Sequence, residues 1–175
     1  MGQSPDGSSF NELKEGTMFY QGRTDFRFRF PSQRLYTTDP KRMAQKNDVL
    51  LSVRAPVGDV NIANESCCIG RGLAAIRSKT YYSSFIFYLI KSSKDKFELY
   101  NKEGTIFGSI NKDSLNGLPV VIPSIEIIEK FEKIIQPIDD MIAINERESR
   151  NLFLIRNMIL PKLMSGKIDI SNIEL

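Results

Sequence analysis

No histidine occurs anywhere in the 175 residues. That excludes histidine-ligated zinc proteases, serine–histidine triads and the usual imidazole general base, each of which needs that ring as ligand or proton acceptor. Cysteine is nearly absent too. Its only two copies, Cys67 and Cys68, are adjacent, where a disulfide would be strained and would close no useful loop, so both read as small buried hydrophobes. No apolar run has the length of a bilayer span, and the N-terminus lacks the basic-then-apolar pattern of a secretory signal. The expected compartment is the cytoplasm.

What is present is an ordinary globular balance, 41% apolar and 26% charged, enough for one domain plus an extension. The net charge of +3 is unevenly placed. Residues 1–123 hold 17 Lys and Arg against 12 Asp and Glu, whereas residues 124–175 hold 7 against 9. The stretch 22–54 alone carries Arg23, Arg27, Arg29, Arg34, Lys41, Arg42, Lys46 and Arg54 against Asp25, Asp39 and Asp48. Clustered guanidinium groups suit phosphate pairing and bidentate contacts to guanine, although a solvated strand face would look the same.

Along the chain, residues 1–16 are rich in turn formers, and TMFYQ (17–21) reads as a short strand. DFRFRF (25–30) alternates charge with Phe, the pattern of a half-exposed strand with Phe26, Phe28 and Phe30 on one side and Arg27 and Arg29 on the other. VLLSVRA, the turn Ala55-Pro56-Val57-Gly58-Asp59 and VNIA predict a β-hairpin, followed by CCIG and LAAIR as further strands. FIFYLIKSSKDKFELYN predicts a helix capped by Ser83 or Ser84, with Phe85, Leu89 and Phe97 at helical spacing and a break near Ser92-Ser93. Asn111 or Asp113 is placed to start a short helical turn, and LPVVIP to form a last strand.

From Ser124 onward the pattern becomes helical, with Ile138, Met141, Ile142, Leu152, Ile155 and Ile159 in an apolar stripe interrupted by Asn145 and Ser149. Pro137 predicts two helices, about 124–136 and about 138–160, with Pro161 as the stop. The second would be about 35 Å long, roughly one turn of B-DNA. A stripe on so long a helix calls for a partner helix, the competing reading being that it folds back on its own domain. The fold expected is mixed α/β: a compact β-rich domain with a few helices over 1–123, then a long C-terminal helical arm over 124–175.

The candidate DNA-binding residues are Gln21, Gly22, Arg23, Arg27, Arg29, Arg34, Arg54, Ser109, Asn111 and Lys112, since Gly lets a backbone approach DNA while Gln, Asn and cationic groups contact bases or phosphates. Gly70-Arg71-Gly72 lacks the ending of a phosphate-binding loop and reads as a tight turn. Arg54 and Arg71 either reach the surface at strand ends or pair with Asp48 or Asp59; for Arg71 the structural role is favoured. Asp6, Glu12 and Lys14 resemble nuclease elements but sit too close together on a loop, and Asp139-Asp140 reads as an acidic pair offsetting a helix macrodipole.

DVLLSVRAPVGDVNIANESCCIGRGLAAIR (48–77) closely resembles the target-recognition domain of type I restriction-modification specificity subunits. Residues 122–170, with the Ile-Asp-Asp-Met-Ile-Ala-Ile-Asn centre and the LPKLMSGKIDI end, resemble the helical conserved region that follows it. Gly2-Gln3-Ser4-Pro5 and Phe19-Tyr20-Gln21-Gly22 also match the family's pattern. The resemblance implies a non-catalytic reader of double-stranded DNA with no cofactor of its own. Separate modification subunits carry the S-adenosylmethionine-dependent methyltransferase chemistry, and separate restriction subunits translocate and cut. The sequence accordingly has no Asp/Asn-Pro-Pro-Tyr/Phe motif and no Walker loop. Family members have two recognition domains and two helical regions, so this chain resembles half a subunit. Two copies with antiparallel, coiled-coil-like arms would make a homodimer that restores the missing half. The competing functions are a protein-interaction adaptor that does not read DNA and, a distant third, a metal-dependent nuclease.

Overall fold

The computed structural model describes residues 1–80, 82–102 and 108–168; of GTIFGSIN (104–111), whose sequence reads as loop and strand, 104–107 lie outside them. The chain divides into two compact units, Met1–Gln136 and Pro137–Leu175. No helix among the described residues is long and apolar enough to cross a membrane.

The first unit is built on two sheets. One contains β1 (Phe10–Asn11), β2 (Thr17–Tyr20), β3 (Leu35–Thr37), β4 (Met43–Ala44) and β7 (Cys67–Ile69) in the order β1-β3-β2-β7-β4. Only β2 and β7 run parallel. The other is antiparallel, β6 (Val60–Ile62), β5 (Val49–Ser52) and β8 (Leu73–Ile76), so the expected β5–β6 hairpin is present. Successive strand residues point to opposite faces. Leu50 and Leu73 therefore join Met18, Tyr20, Cys67 and Ile69 in one core, while Leu51 and Ala74 pack with Val53, Phe97 and Ile110 in a second. Apolar contacts on both faces explain why VLL is a continuous rather than an alternating run.

Helices α1 (Ser83–Ser92) and α2 (Lys94–Lys102) part where the sequence suggests. Ser92 Oγ and Ser93 Oγ each donate to the Leu89 carbonyl at 2.9 Å, bonds that compete with helix continuation. The expected serine cap is absent. Instead the Glu132 carboxylate accepts from the Ser84 amide at 3.0 Å; Phe97 is buried in α2, while in α1 the buried ring is Phe87 rather than Phe85. Asn111 does cap α3 (Lys112–Asn116), accepting from the Ser114 amide at 2.8 Å.

Three expected elements fold differently. DFRFRF is not a strand: Arg23–Asp25 form a 3-10 turn, and the Asp25 carboxylate takes the Gln21 amide at 2.7 Å, local bonds that draw the chain away from any ladder. LPVVIP pairs with no strand; Pro119 and Pro123 remove two donors from six residues, and Val121 and Ile122 are exposed. Pro137 and Pro161 do not divide the arm, because α4 runs unbroken over Ile125–Met164. Each proline forfeits one backbone bond, whereas a second helix would have to be nucleated again. Asp139 and Asp140 consequently lie well inside α4, not at a helix start, and offset no N-terminal dipole.

Within the second unit, Ile138, Met141, Leu152, Ile155 and Ile159 are exposed, with Ile142 half-buried and Asn145 exposed between them. The apolar surface is wider than a stripe. Leu152, Phe153, Leu154 and Ile155 are all exposed in succession and so point around the whole helix circumference.

Candidate nucleic-acid interface

Four chain segments meet edge to edge where β2, β5 and β7 end. The Gly70 amide donates to the Tyr20 carbonyl at 2.8 Å and the Gly72 amide to Gln21 at 3.3 Å. Val53 donates to Gly72 at 2.9 Å, Ile110 to Val53 and Ala55 to Gly108 at 3.0 Å each. Arg54 and Ser109 face each other as an isolated antiparallel bridge. This ladder sets Gln21, Arg71, Arg54 and Ser109 on neighbouring rungs. Gly70 and Gly72 are required for it, because a Cβ at either position would lie 2.8 Å from the Gln21 carbonyl oxygen. The Ser4 hydroxyl adds support, accepting from the Arg71 amide at 3.2 Å.

Competition among ion pairs decides which cations remain available. Asp48 is bound in bidentate fashion by Arg77, at 2.6 and 2.8 Å, and Asp59 by Arg23 Nε at 2.7 Å. The two acids that Arg54 or Arg71 would pair with are thus taken, and both arginines are exposed with no side-chain hydrogen bond or ion pair among the described residues. The structural role favoured for Arg71 is overturned on this ground. Gly70-Arg71-Gly72 is the tight turn its sequence predicts, with the Leu73 amide donating to the Gly70 carbonyl at 3.0 Å, and its two glycines mark the close approach to the Gln21 carbonyl.

The other candidates separate. Arg29 does not share an exposed face with Arg27: it is 4% exposed, donates to the Tyr88 hydroxyl at 2.9 Å and lies 4.2 Å from the Phe87 ring centroid. Its guanidinium holds the loop against α1, where planar stacking on an aromatic ring is favourable. Arg34 is half-exposed, 3.4 Å from the buried Asp25. Arg27 folds back to donate to the carbonyls of Thr24 and Phe26. Asn111 spends its carbonyl oxygen on the α3 cap, and Lys112 is exposed beside it. Gln21 is exposed and Gly22 half-buried on the ladder edge.

The nuclease candidates form no metal-holding cluster among the described residues. Asp6 accepts from the Ser8 amide and hydroxyl at 2.9 and 2.7 Å, and those bonds hold its carboxyl below the usual range. Among the described residues no three acidic, cysteine or histidine side chains cluster closely enough to hold a metal ion. Burial pushes the Cys67 thiol up to about 12, and thiolate is the reactive form. Native protein at pH 8 is therefore expected to resist iodoacetamide at this position and to react only when unfolded; stoichiometric labelling of Cys67 in the folded chain, read by mass spectrometry, would contradict this burial.

Comparison with known proteins identifies the family and the fold. Residues 14–152 match the family model of the type I restriction modification DNA specificity domain. A protein of Methanocaldococcus jannaschii described as the type I restriction enzyme MjaX specificity subunit is 40% identical over 172 residues, 97% of this chain and 40% of that one. The HsdS subunit of Thermoanaerobacter tengcongensis is 31% identical, with a TM-score of 0.67 over 96% of this chain and 42% of that chain. The Type-I restriction-modification system S subunit of M. genitalium, at 15% identity and a TM-score of 0.68 over 94% of this chain and 42% of that chain, shares the fold. The chain thus spans about two fifths of the relatives it matches.

Proposed function

Since the chain belongs to the type I restriction-modification DNA specificity family, we propose that it is a non-catalytic, cytoplasmic reader of one half of a split DNA target. The reading part is residues 1–123, and residues 124–175 are the docking arm. The observation that carries this reading is the uncommitted pair Arg54 and Arg71, set between Gln21 and Ser109 on a glycine-lined ladder. Neighbouring strands lie about 4.8 Å apart, so four segments span roughly 14 Å, close to the roughly 12 Å width of the major groove. Arginine and glutamine there have the donors and acceptors that distinguish guanine and adenine. Arg23, Arg34, Asn111 and Lys112 supply the surrounding phosphate contacts.

The arm docks a second copy in antiparallel fashion, giving a homodimer of half-subunits, and also receives the methyltransferase and restriction subunits. What supports more than one partner is the apolar girdle at Leu152, Phe153, Leu154 and Ile155, since a single facing helix covers one stripe only. S-adenosylmethionine chemistry belongs to the methyltransferase partners, so the chain needs no cofactor.

Selection from a random duplex pool with the full chain, alongside light scattering, tests the reading. The expected product is a split motif with two-fold symmetry, bound by a dimer whose affinity falls with salt by about 0.9 log unit per log unit for each phosphate contacted. A pool with no enriched sequence would favour the adaptor reading, and a lone half-site bound by a monomer would remove the homodimer.

A further inference from the structure

A second feature of the first unit points outward, beside Gly58–Asn61. Phe28 is 77% exposed, and a lone exposed apolar side chain ordinarily needs no explanation. This one is held in place. The buried Asn61, 1% exposed, accepts from the Arg27 amide at 3.1 Å and donates to the Arg27 carbonyl at 2.9 Å. On the other side the Ile62 amide donates to the Arg29 carbonyl at 2.9 Å, and the Arg29 guanidinium is stacked on Phe87. Burying an asparagine and an arginine is costly unless their polar groups are bonded, and both serve to pin the residues flanking Phe28.

The surroundings are cationic. Phe28 lines a cleft of about 220 Å³ with Arg23, Arg27, Lys91 and Lys94, the single acid there among the described residues, Asp59, being paired by Arg23. Lys91 and Lys94 are exposed where α1 gives way to α2. A rigid aromatic tip ringed by cations has the chemistry of a wedge that enters a base-pair step while its neighbours hold the phosphates.

We propose that Phe28 inserts into a base step of the bound duplex and that Arg27, Lys91 and Lys94 contact the phosphates beside that step. This rests on the DNA-reading function above. It adds a contact that senses the deformability of a step as well as the edges of its bases.

The probe is the duplex enriched from the random pool by the full wild-type chain, with 2-aminopurine placed at successive positions. Wild-type protein raises 2-aminopurine fluorescence at one step. Phe28→Ala abolishes that rise and weakens binding about tenfold, the scale of losing one aromatic–base stacking contact, while Phe28→Tyr restores both and the melting temperature of each variant is unchanged. Wild-type affinity in Phe28→Ala, with binding still lost on replacing Arg54 and Arg71, overturns the wedge and leaves DNA reading standing. Weakened binding without any fluorescence rise in the wild type also overturns it, leaving a surface contact only. If the wild-type chain enriches no duplex, DNA reading fails and the wedge fails with it.

Discussion

Alanine at both Arg54 and Arg71 is expected to lower affinity for the selected duplex by about a hundredfold, taking roughly tenfold for each base-contacting guanidinium. The physical reason is that neither cation has another commitment: Asp48 is held by Arg77 and Asp59 by Arg23. Removal of either side chain subtracts only what it offers to a ligand. Fluorescence anisotropy at several salt concentrations measures both parts of the effect. Contacts to bases reduce discrimination between the selected and a scrambled duplex, whereas contacts to phosphates lower the salt slope by about one per residue. Arg23→Ala should cost less, because its guanidinium is shared with Asp59. Arg29→Ala should act mainly on stability, since that side chain is buried against Phe87 and Tyr88. If the double variant binds the selected duplex within twofold of wild type, the ladder edge is not the reading surface.

Arg77→Met is expected to destabilise the first unit by about 3 kcal/mol, the low end of what is lost when one partner of a buried ion pair is removed. Asp48 is buried and Arg77 about half-exposed, so the variant leaves a carboxylate with the Gln45 amide, at 2.7 Å, as its remaining side-chain partner among the described residues. For a chain of this size that corresponds to a fall of about 9 °C in melting temperature. Thermal unfolding followed by circular dichroism reads it. The double variant Asp48→Leu/Arg77→Met should recover most of the loss, because a buried pair exchanged for apolar groups is often neutral. A single variant that melts within a degree of wild type would mean that the pair holds nothing in place.

Much of the architecture was legible in local pattern. VLL, VNI, CCI and LAAI are the strands β5 to β8, and the break after Ser92 was marked by two serines able to bond the preceding turn. The long arm and the family resemblance followed from helical spacing and from extended motifs. These features are recorded locally, since side-chain periodicity and turn chemistry act within a few residues of one another. The arm was misread at its prolines, where a general rule for breaking helices met a helix with turns already formed on both sides.

The candidate site was less legible, and the reason is specific. Alternation in DFRFRF says that Phe and Arg face opposite ways on an ideal strand, but it carries no record of Asn61, Phe87 or Tyr88, which lie 34 to 59 residues away and reverse the outcome by burying Arg29 and leaving Phe28 outside. The internal pairing favoured for Arg71 failed for a similar reason: two acids and several arginines within reach allow many pairings, and only their placement in space assigns Arg77 to Asp48 and Arg23 to Asp59. By itself, then, the sequence determined the family, the strands β2 and β5 to β8, and the arm, because periodicity, turn residues and long motifs are properties of neighbours along the chain. Which cations are left exposed and without a partner acid was decided only by the tertiary structure, because burial and ion pairing are contests among residues that folding alone brings together.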